Sequence, residues 1–377
     1  MRVVGTLVLS ILLTSSAFSA PKRVSPTPIP DDASHVCVEA ESGLVVAEKN
    51  AATPRAPASM VKMMLMLLVA EGLEQNAWTL DKEITITPHA QGMGGSQIWL
   101  KKGDVHTLGK LMAAIAVASA NDAAVAVAEG LWGSEAAYLE RANARAAELG
   151  MTQTVFRTPH GLPARGNEKT DQSTAYDMAL LARACVRHPD ILEWTSQKQF
   201  AYGPKNLVKN NTNKLLFRME DCDGLKTGWT GPAGYCVTAT AQRNDVRLVV
   251  VVMGCPNNKN RFDTAQRLLE EGFTDVRRLH VVNKGDLFGE PLPLPILAPL
   301  GVQLAAGEDV WVTVRASDVD KIEVRASAPK KMPRKARPGD AVGEVHVVVA
   351  GQVLASAPLR LPRNLMAAVQ RMDTARQ

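Results

Sequence analysis

The stretch PASMVKMMLML runs from Pro57 to Leu67. Its methionines, leucines and valine suit a buried helix, and a proline just ahead of the first turn is a common helix start. Ser59 and Lys62 do not suit burial, because an amine is costly to remove from water. They stand three residues apart, and positions i and i+3 share a helix face. A hydroxyl and an amine therefore come within hydrogen-bonding reach. A serine hydroxyl is a poor nucleophile until a base takes its proton. Lysine can be that base only when partial burial and a second cation lower its pKa. The helix N-terminus adds a positive potential for a developing oxyanion. Ser-x-x-Lys alone recurs by chance, as a surface lysine on an ordinary amphipathic helix.

Two further stretches bear on the choice. VASANDAAV holds Ser119, Ala120 and Asn121 at the junction of two alanine-rich helices. There a hydroxyl and a carboxamide can enter a cleft, although Ser and Asn are also favoured N-caps. DGLKTGWTGPAGYC holds Lys226, Thr227 and Gly228, which the pattern places on a strand. That strand supplies a second cation, a hydroxyl, and a glycine with no side chain to obstruct a ligand.

Outward from these motifs, the periodicity predicts a hairpin over 34–48 and helices over 108–118, 122–132, 135–149 and 174–187. Strands follow in 234–255, and a closing helix over 260–273 has Gly272 near its C-cap. Strands at both ends of a helical segment predict an α+β domain, here 34–278, with a sheet built from both ends. After it, EDVWVTVRA, DKIEVRA and GEVHVVVAGQVLASAPLRL alternate apolar and polar residues with glycine turns. This predicts a small all-β domain over 279–362. In the tail, 363–377, Leu365, Met366, Val369 and Met372 share one helical face beside Arg363, Arg371 and Arg376. That arrangement is readable as a short amphipathic helix in peripheral membrane contact, or as a plain surface helix.

Ser-x-x-Lys, Ser-x-Asn and Lys-Thr-Gly in this order resemble the motif set of penicillin-binding proteins and serine β-lactamases. The blocks PASMVKMM, GGSQIWLKKGD, SANDAAVAVAE, ELGMTQTVFRTPHGL, STAYDMALLARA and LKTGWTGPAGYCV are similar to those of low-molecular-mass D-alanyl-D-alanine carboxypeptidases, peptidase family S11. The resemblance covers about 36–273, and the following β region, with APLRL, is similar to that family's C-terminal domain. It implies a penicillin-binding/β-lactamase-like domain, an antiparallel sheet flanked by helices. It also implies an exported serine D,D-carboxypeptidase acting on peptidoglycan stem peptides that end in D-Ala-D-Ala and acylated by β-lactam antibiotics, with no cofactor. By that resemblance Ser59 is the nucleophile and Lys62 the base. Ser119 passes the proton to the leaving amine, and Asn121 holds the peptide amide. Lys226 lowers the Lys62 pKa and attracts the substrate carboxylate, which Thr227 and Thr230 hydrogen-bond. Gly228 keeps the strand clear, and the backbone N–H groups of Ser59 and Trp229 form the oxyanion hole. Trp229 stands where relatives often carry His or Tyr, and Thr212 where some carry a substrate-binding Arg. The alternatives are a D,D-endopeptidase cutting cross-links, a non-catalytic wall-binding protein, and a β-lactamase, for which Glu168 is the carboxylate at hand but lacks the usual surrounding pattern.

The remaining features narrow the setting. Residues 1–20 carry Arg2, an apolar run from Val3 to Leu13 and then small residues, which reads as a signal peptide cleaved near Ser19 or Ala20. The reading is export to the periplasm or the outer face of the cytoplasmic membrane. Residues 21–33 are proline-rich and predicted as an extended arm. The net charge of +5 is no argument for nucleic acid as a partner. The five cysteines are an odd number without CxxC spacing, so ordinary buried thiols are expected and one disulfide stays open. Seven scattered histidines, with no HExxH and no Cys/His cluster, predict no metal site. His160, in TPHGL, is read as shaping a loop near the cleft. No G-x-S-x-G accompanies a Ser-His-Asp triad.

Overall fold

The computed structural model describes residues 5–7, 33–163, 169–203, 206–293, 300–333, 335–364 and 369–371. Most of the leader and arm, and Glu168, lie outside them. The described residues fall into two compact units divided between Thr274 and Asp275, with Gly5–Leu7 in the second.

The first unit holds a five-stranded antiparallel sheet in the order Val45–Lys49, Ser34–Glu39, Val246–Cys255, Gly234–Arg243, Cys222–Thr230. Its central strand comes from the far end of the segment and pairs with the first strand, as the α+β reading expects. Leu248 to Val252 are fully buried, and burial on both faces is why that strand reads as an unbroken apolar run. The helix Lys62–Glu74 is buried on every side from Met63 to Val69, which explains its lack of a polar stripe. Two alanine-rich helices, Leu108–Val117 and Asn121–Trp132, are also deeply buried. The second ends at Gly133, whose φ of 81° is the left-handed conformation that suits glycine. Ser34–Glu39 and Val45–Lys49 form the expected hairpin. All five cysteines are buried thiols, and among the described residues no disulfide joins any of them.

The second unit is β-rich. Its main sheet runs Gly5–Leu7, Ile322–Ser327, Ala341–Val349, Gln352–Arg360, Leu300–Ala306, Leu287–Pro293. Val276–Val282 pairs separately with Val310–Arg315. The core is the inward set of the alternating residues, including Val302, Val345, Val347 and Leu359. One expectation is corrected: Val369–Arg371 is not helical but a short strand, antiparallel to Leu300–Val302. A sheet edge presents unpaired N–H and C=O groups, and three residues of tail satisfy some of them better there than in an isolated helical turn. The other apolar residues of the supposed face, Leu365, Met366 and Met372, lie outside the described residues, as does Arg376. Among the described residues no helix is long and apolar enough to cross a membrane.

Candidate active site

Ser59 lies in a 3-10 turn, Ala58–Val61, that leads into the helix Lys62–Glu74. The turn begins at Ala58 with φ +49°, a costly conformation for a residue with a side chain. Two glycines make room for it. A β-carbon on Gly161 would stand 2.2 Å from the Ala58 carbonyl oxygen and 2.8 Å from Ser59 N. A β-carbon on Gly228 would stand 2.6 Å from the Pro57 carbonyl oxygen and 3.2 Å from Ser59 N. The serine turn is thus gripped between the loop after His160 and the edge strand that carries Lys226-Thr227-Gly228.

Lys62 is fully buried, and its Nζ has three oxygen neighbours. Asn121 Oδ1 and the His160 carbonyl oxygen are each 2.7 Å away, and Ser59 Oγ is 3.0 Å away. Asn121 Nδ2 donates to the Gly94 carbonyl at 2.7 Å, which fixes the carboxamide with its oxygen toward the lysine. Burial, and next the Lys226 cation, hold the Lys62 pKa well below the usual lysine range, against the opposing pull of Asp171 and Asp122. Lys226 is also buried, and its Nζ donates to the Thr227 carbonyl at 3.0 Å. Burial, and then Arg261, bring its pKa down to about 7. Arg261 lies against the same strand and donates to the Gly228 and Cys236 carbonyls at 2.9 and 3.0 Å. Arg261 therefore presses on Lys226, and Lys226 in turn on the Lys62 amine.

Most of the predicted residues converge, and some hold posts that spacing did not reveal. The Thr227 hydroxyl donates to Thr212 Oγ1 at 2.7 Å. Thr230 Oγ1 accepts the Ala233 N–H at 3.2 Å and so caps a turn. Trp229 is exposed on the edge strand and packs against Tyr235. Ser119 is buried at the helix junction with φ +57°. Among the described residues its hydroxyl makes no hydrogen bond to Ser59, Lys62 or Lys226. Asn121, read as a substrate amide holder, is engaged at both ends of its carboxamide with Gly94 and Lys62.

Sequence reading missed the His160 carbonyl, which is a backbone group and so invisible to residue type. It also missed the two carboxylates that set the loops. Asp171 accepts from Arg157 N, Thr158 N and the Thr158 hydroxyl, whose oxygen in turn accepts from Gly161 N at 2.7 Å. Asp122 accepts from Ile98 N and Leu100 N and so pins the GGSQIWL loop beside Asn121. Among the described residues no group of three His, Cys, Asp or Glu is placed to hold a metal.

A serine and a buried lysine at the head of one helix, closed by an edge strand with a second lysine, make up an arrangement suited to a serine hydrolase. The chain belongs to peptidase family S11, the D-alanyl-D-alanine carboxypeptidases, which it matches over residues 22–257. Residues 299–366 match the C-terminal domain of penicillin-binding protein 5. Both findings bear out the family reading of the motif blocks. The chain is 31% identical to the D-alanyl-D-alanine carboxypeptidase DacF of Bacillus subtilis, over 97% of this chain and 94% of that one. Penicillin-binding protein 5 of Haemophilus influenzae superimposes with a TM-score of 0.73 at 27% identity, over 93% of this chain and 100% of that one. Penicillin-binding protein D2 of Listeria monocytogenes, solved in its ampicillin-bound form, is 30% identical with a TM-score of 0.59, over 66% of this chain and 100% of that one.

Proposed function

We propose that the chain hydrolyses the terminal D-Ala–D-Ala bond of peptidoglycan stem peptides through an acyl-enzyme on Ser59. The observation that carries this reading is the neighbourhood of Lys62. Two of its three partners, Asn121 Oδ1 and the His160 carbonyl, can only accept. In the free site the amine donates to Ser59 Oγ at 3.0 Å and the Ser59 hydroxyl donates to the His160 carbonyl at 3.2 Å. A neutral amine keeps its two N–H bonds for the two acceptors and turns its lone pair to that hydroxyl. Burial and the Lys226 cation favour that neutral amine.

The steps follow from this arrangement. Lys62 takes the Ser59 proton as Oγ attacks the carbonyl between the two D-alanines. The backbone N–H groups of Ser59 and Trp229 receive the oxyanion, which the bare Cα of Gly228 allows by letting strand and turn approach. One lost donor of this type costs about 10²–10³ in rate. Ser119 passes the proton to the departing amine, and Asn121 keeps Lys62 in register. The substrate's terminal carboxylate meets Lys226 and Thr227. Because the Lys226 pKa is about 7 in the free site, an arriving carboxylate favours its protonated form. Water then hydrolyses the ester, and β-lactams acylate the same serine. The setting proposed is outside the cytoplasm, after removal of the leader.

The test is incubation with a free pentapeptide and with a cross-linked dimer. Release of D-alanine from the pentapeptide supports the carboxypeptidase. Cleavage confined to the dimer would replace it by an endopeptidase.

A further inference from the structure

Arg261, on the helix Asn258–Asp275, is a buried cation whose cost the fold alone does not explain. Among the described residues it pairs with no carboxylate, and its Nε–H has no hydrogen-bond partner. A guanidinium taken out of water without an anion is expensive, and apolar side chains of similar volume often serve stability as well or better. Two rings soften the burial: the guanidinium carbon lies 4.6 Å from the centroid of Phe262 and 5.3 Å from that of Tyr235. What the charge reaches is a pair of backbone carbonyls. Its Nη1 donates to the Gly228 oxygen at 2.9 Å and to the Cys236 oxygen at 3.0 Å. These two residues face each other across paired strands.

The first of those carbonyls belongs to the peptide that carries the Trp229 N–H. That peptide is trans, so its C=O and N–H point in opposite directions. With the carbonyl held toward Arg261, the N–H is directed away from it. The strand Cys222–Thr230 is the edge of its sheet. The serine turn stands against it at Gly228, where a β-carbon would come within 3.2 Å of Ser59 N. The Ser59 and Trp229 N–H groups thus belong to segments in contact. A charged donor on the carbonyl also draws electron density out of the peptide, and hydrogen bonds in such a chain strengthen one another. The Trp229 ring is propped separately by Tyr235, at 5.8 Å, and Tyr235 rests on the same guanidinium.

We propose that Arg261 is a positioning residue for the oxyanion site: by holding the Gly228 carbonyl it aims the Trp229 N–H at the oxygen of the reacting carbonyl and strengthens it as a donor. The inference rests on the acyl-enzyme reading, in which that N–H is one of two oxyanion donors. It is distinct from the pressure of Arg261 on Lys226, which acts on a side chain and not on the acyl oxygen.

The test is difference infrared spectroscopy of the acyl-enzyme formed with a penicillin carrying carbon-13 at its β-lactam carbonyl. Only acylated enzyme gives the band, so an unfolded fraction does not move it. In the wild type the ester carbonyl is expected at lower wavenumber than in the same adduct after denaturation. Arg261→Met is expected to move it up toward the denatured position and to slow acylation by about tenfold to a hundredfold, part of the 10²–10³ that a lost donor costs. Arg261→Lys keeps a cation and a donor on a shorter stem without the fork, and its band is expected to fall between. A band at the wild-type position in either variant overturns the positioning role, including where the pH profile of acylation moves through Lys226. Loss of all acylation in both variants also overturns it, because one misaimed donor leaves a measurable rate. Each of these outcomes leaves the acyl-enzyme reading in place. No adduct on the wild type overturns that reading, and the role of Arg261 with it.

Discussion

Gly161 lies so close to Ala58 that a β-carbon there would stand 2.2 Å from the Ala58 carbonyl oxygen. Its φ of +81° is also one that side chains resist. Ala58 itself holds φ +49°, so the strained turn beneath Ser59 depends on this contact. Gly161→Ala must displace the turn, and with it Ser59 N and the His160 carbonyl. Acylation by a fluorescent penicillin is expected to slow by about 10²–10³, the loss seen when one oxyanion donor is misplaced. His160→Gln keeps the carbonyl and is expected to cost less than about tenfold, or 1.4 kcal/mol. Acylation rates of the two variants check the contrast.

Asn121 presents a neutral oxygen to Lys62. Asn121→Asp would place an anion 2.7 Å from the amine and favour its protonated form. The Lys62 pKa then rises, and the acidic limb of the kcat/KM profile, where the base loses its lone pair, moves to higher pH. The pH profile of the variant measures the shift directly.

Lys226→Gln works through the same amine from the other side. Removing a neighbouring cation lets the Lys62 pKa climb, so the acidic limb again moves to higher pH. This variant also loses the charge that meets the substrate carboxylate, so KM is expected to rise. A limb that stays put would show that Lys226 does not tune the base.

Burying Lys62 costs stability. Its pKa is lowered on folding, so between the folded value and the ordinary 10.5 the unfolded chain binds more protons. Stability attributable to this residue therefore rises with pH across that window. Lys62→Met fills similar space without the penalty. It is expected to stabilise the fold at pH 7 by about 0.5–2 kcal/mol, the usual scale of such trade-offs, while abolishing acylation. The gain should shrink as pH approaches 10. Urea unfolding of both proteins at pH 7 and pH 10 checks the sign.

The sequence made the side chains of the site legible, because Ser59, Lys62, Asn121 and Lys226 carry chemistry in their residue type and spacing. Groups supplied by the backbone were not legible. The His160 carbonyl belongs to a residue whose own ring merely accepts from Leu162 N, and Gly161 reads as any loop glycine until Ala58 is seen against it. Thr230 looked like a substrate ligand because it follows Lys-Thr-Gly, yet its hydroxyl closes a turn. Arg261 was hidden in a helix with an ordinary amphipathic pattern. The α+β order was readable from the placing of apolar runs. The tail was misread over Val369–Arg371 because a three-residue edge strand has no periodicity long enough to distinguish it from a helical turn.

Mass spectrometry of the penicillin-treated protein tests the Ser59–Lys62 pair most directly. One covalent adduct is expected, on the peptide containing Ser59, absent in Ser59→Ala and formed far more slowly in Lys62→Ala. An adduct on another residue, or equal labelling of Ser59→Ala, would contradict the assignment of nucleophile and base together.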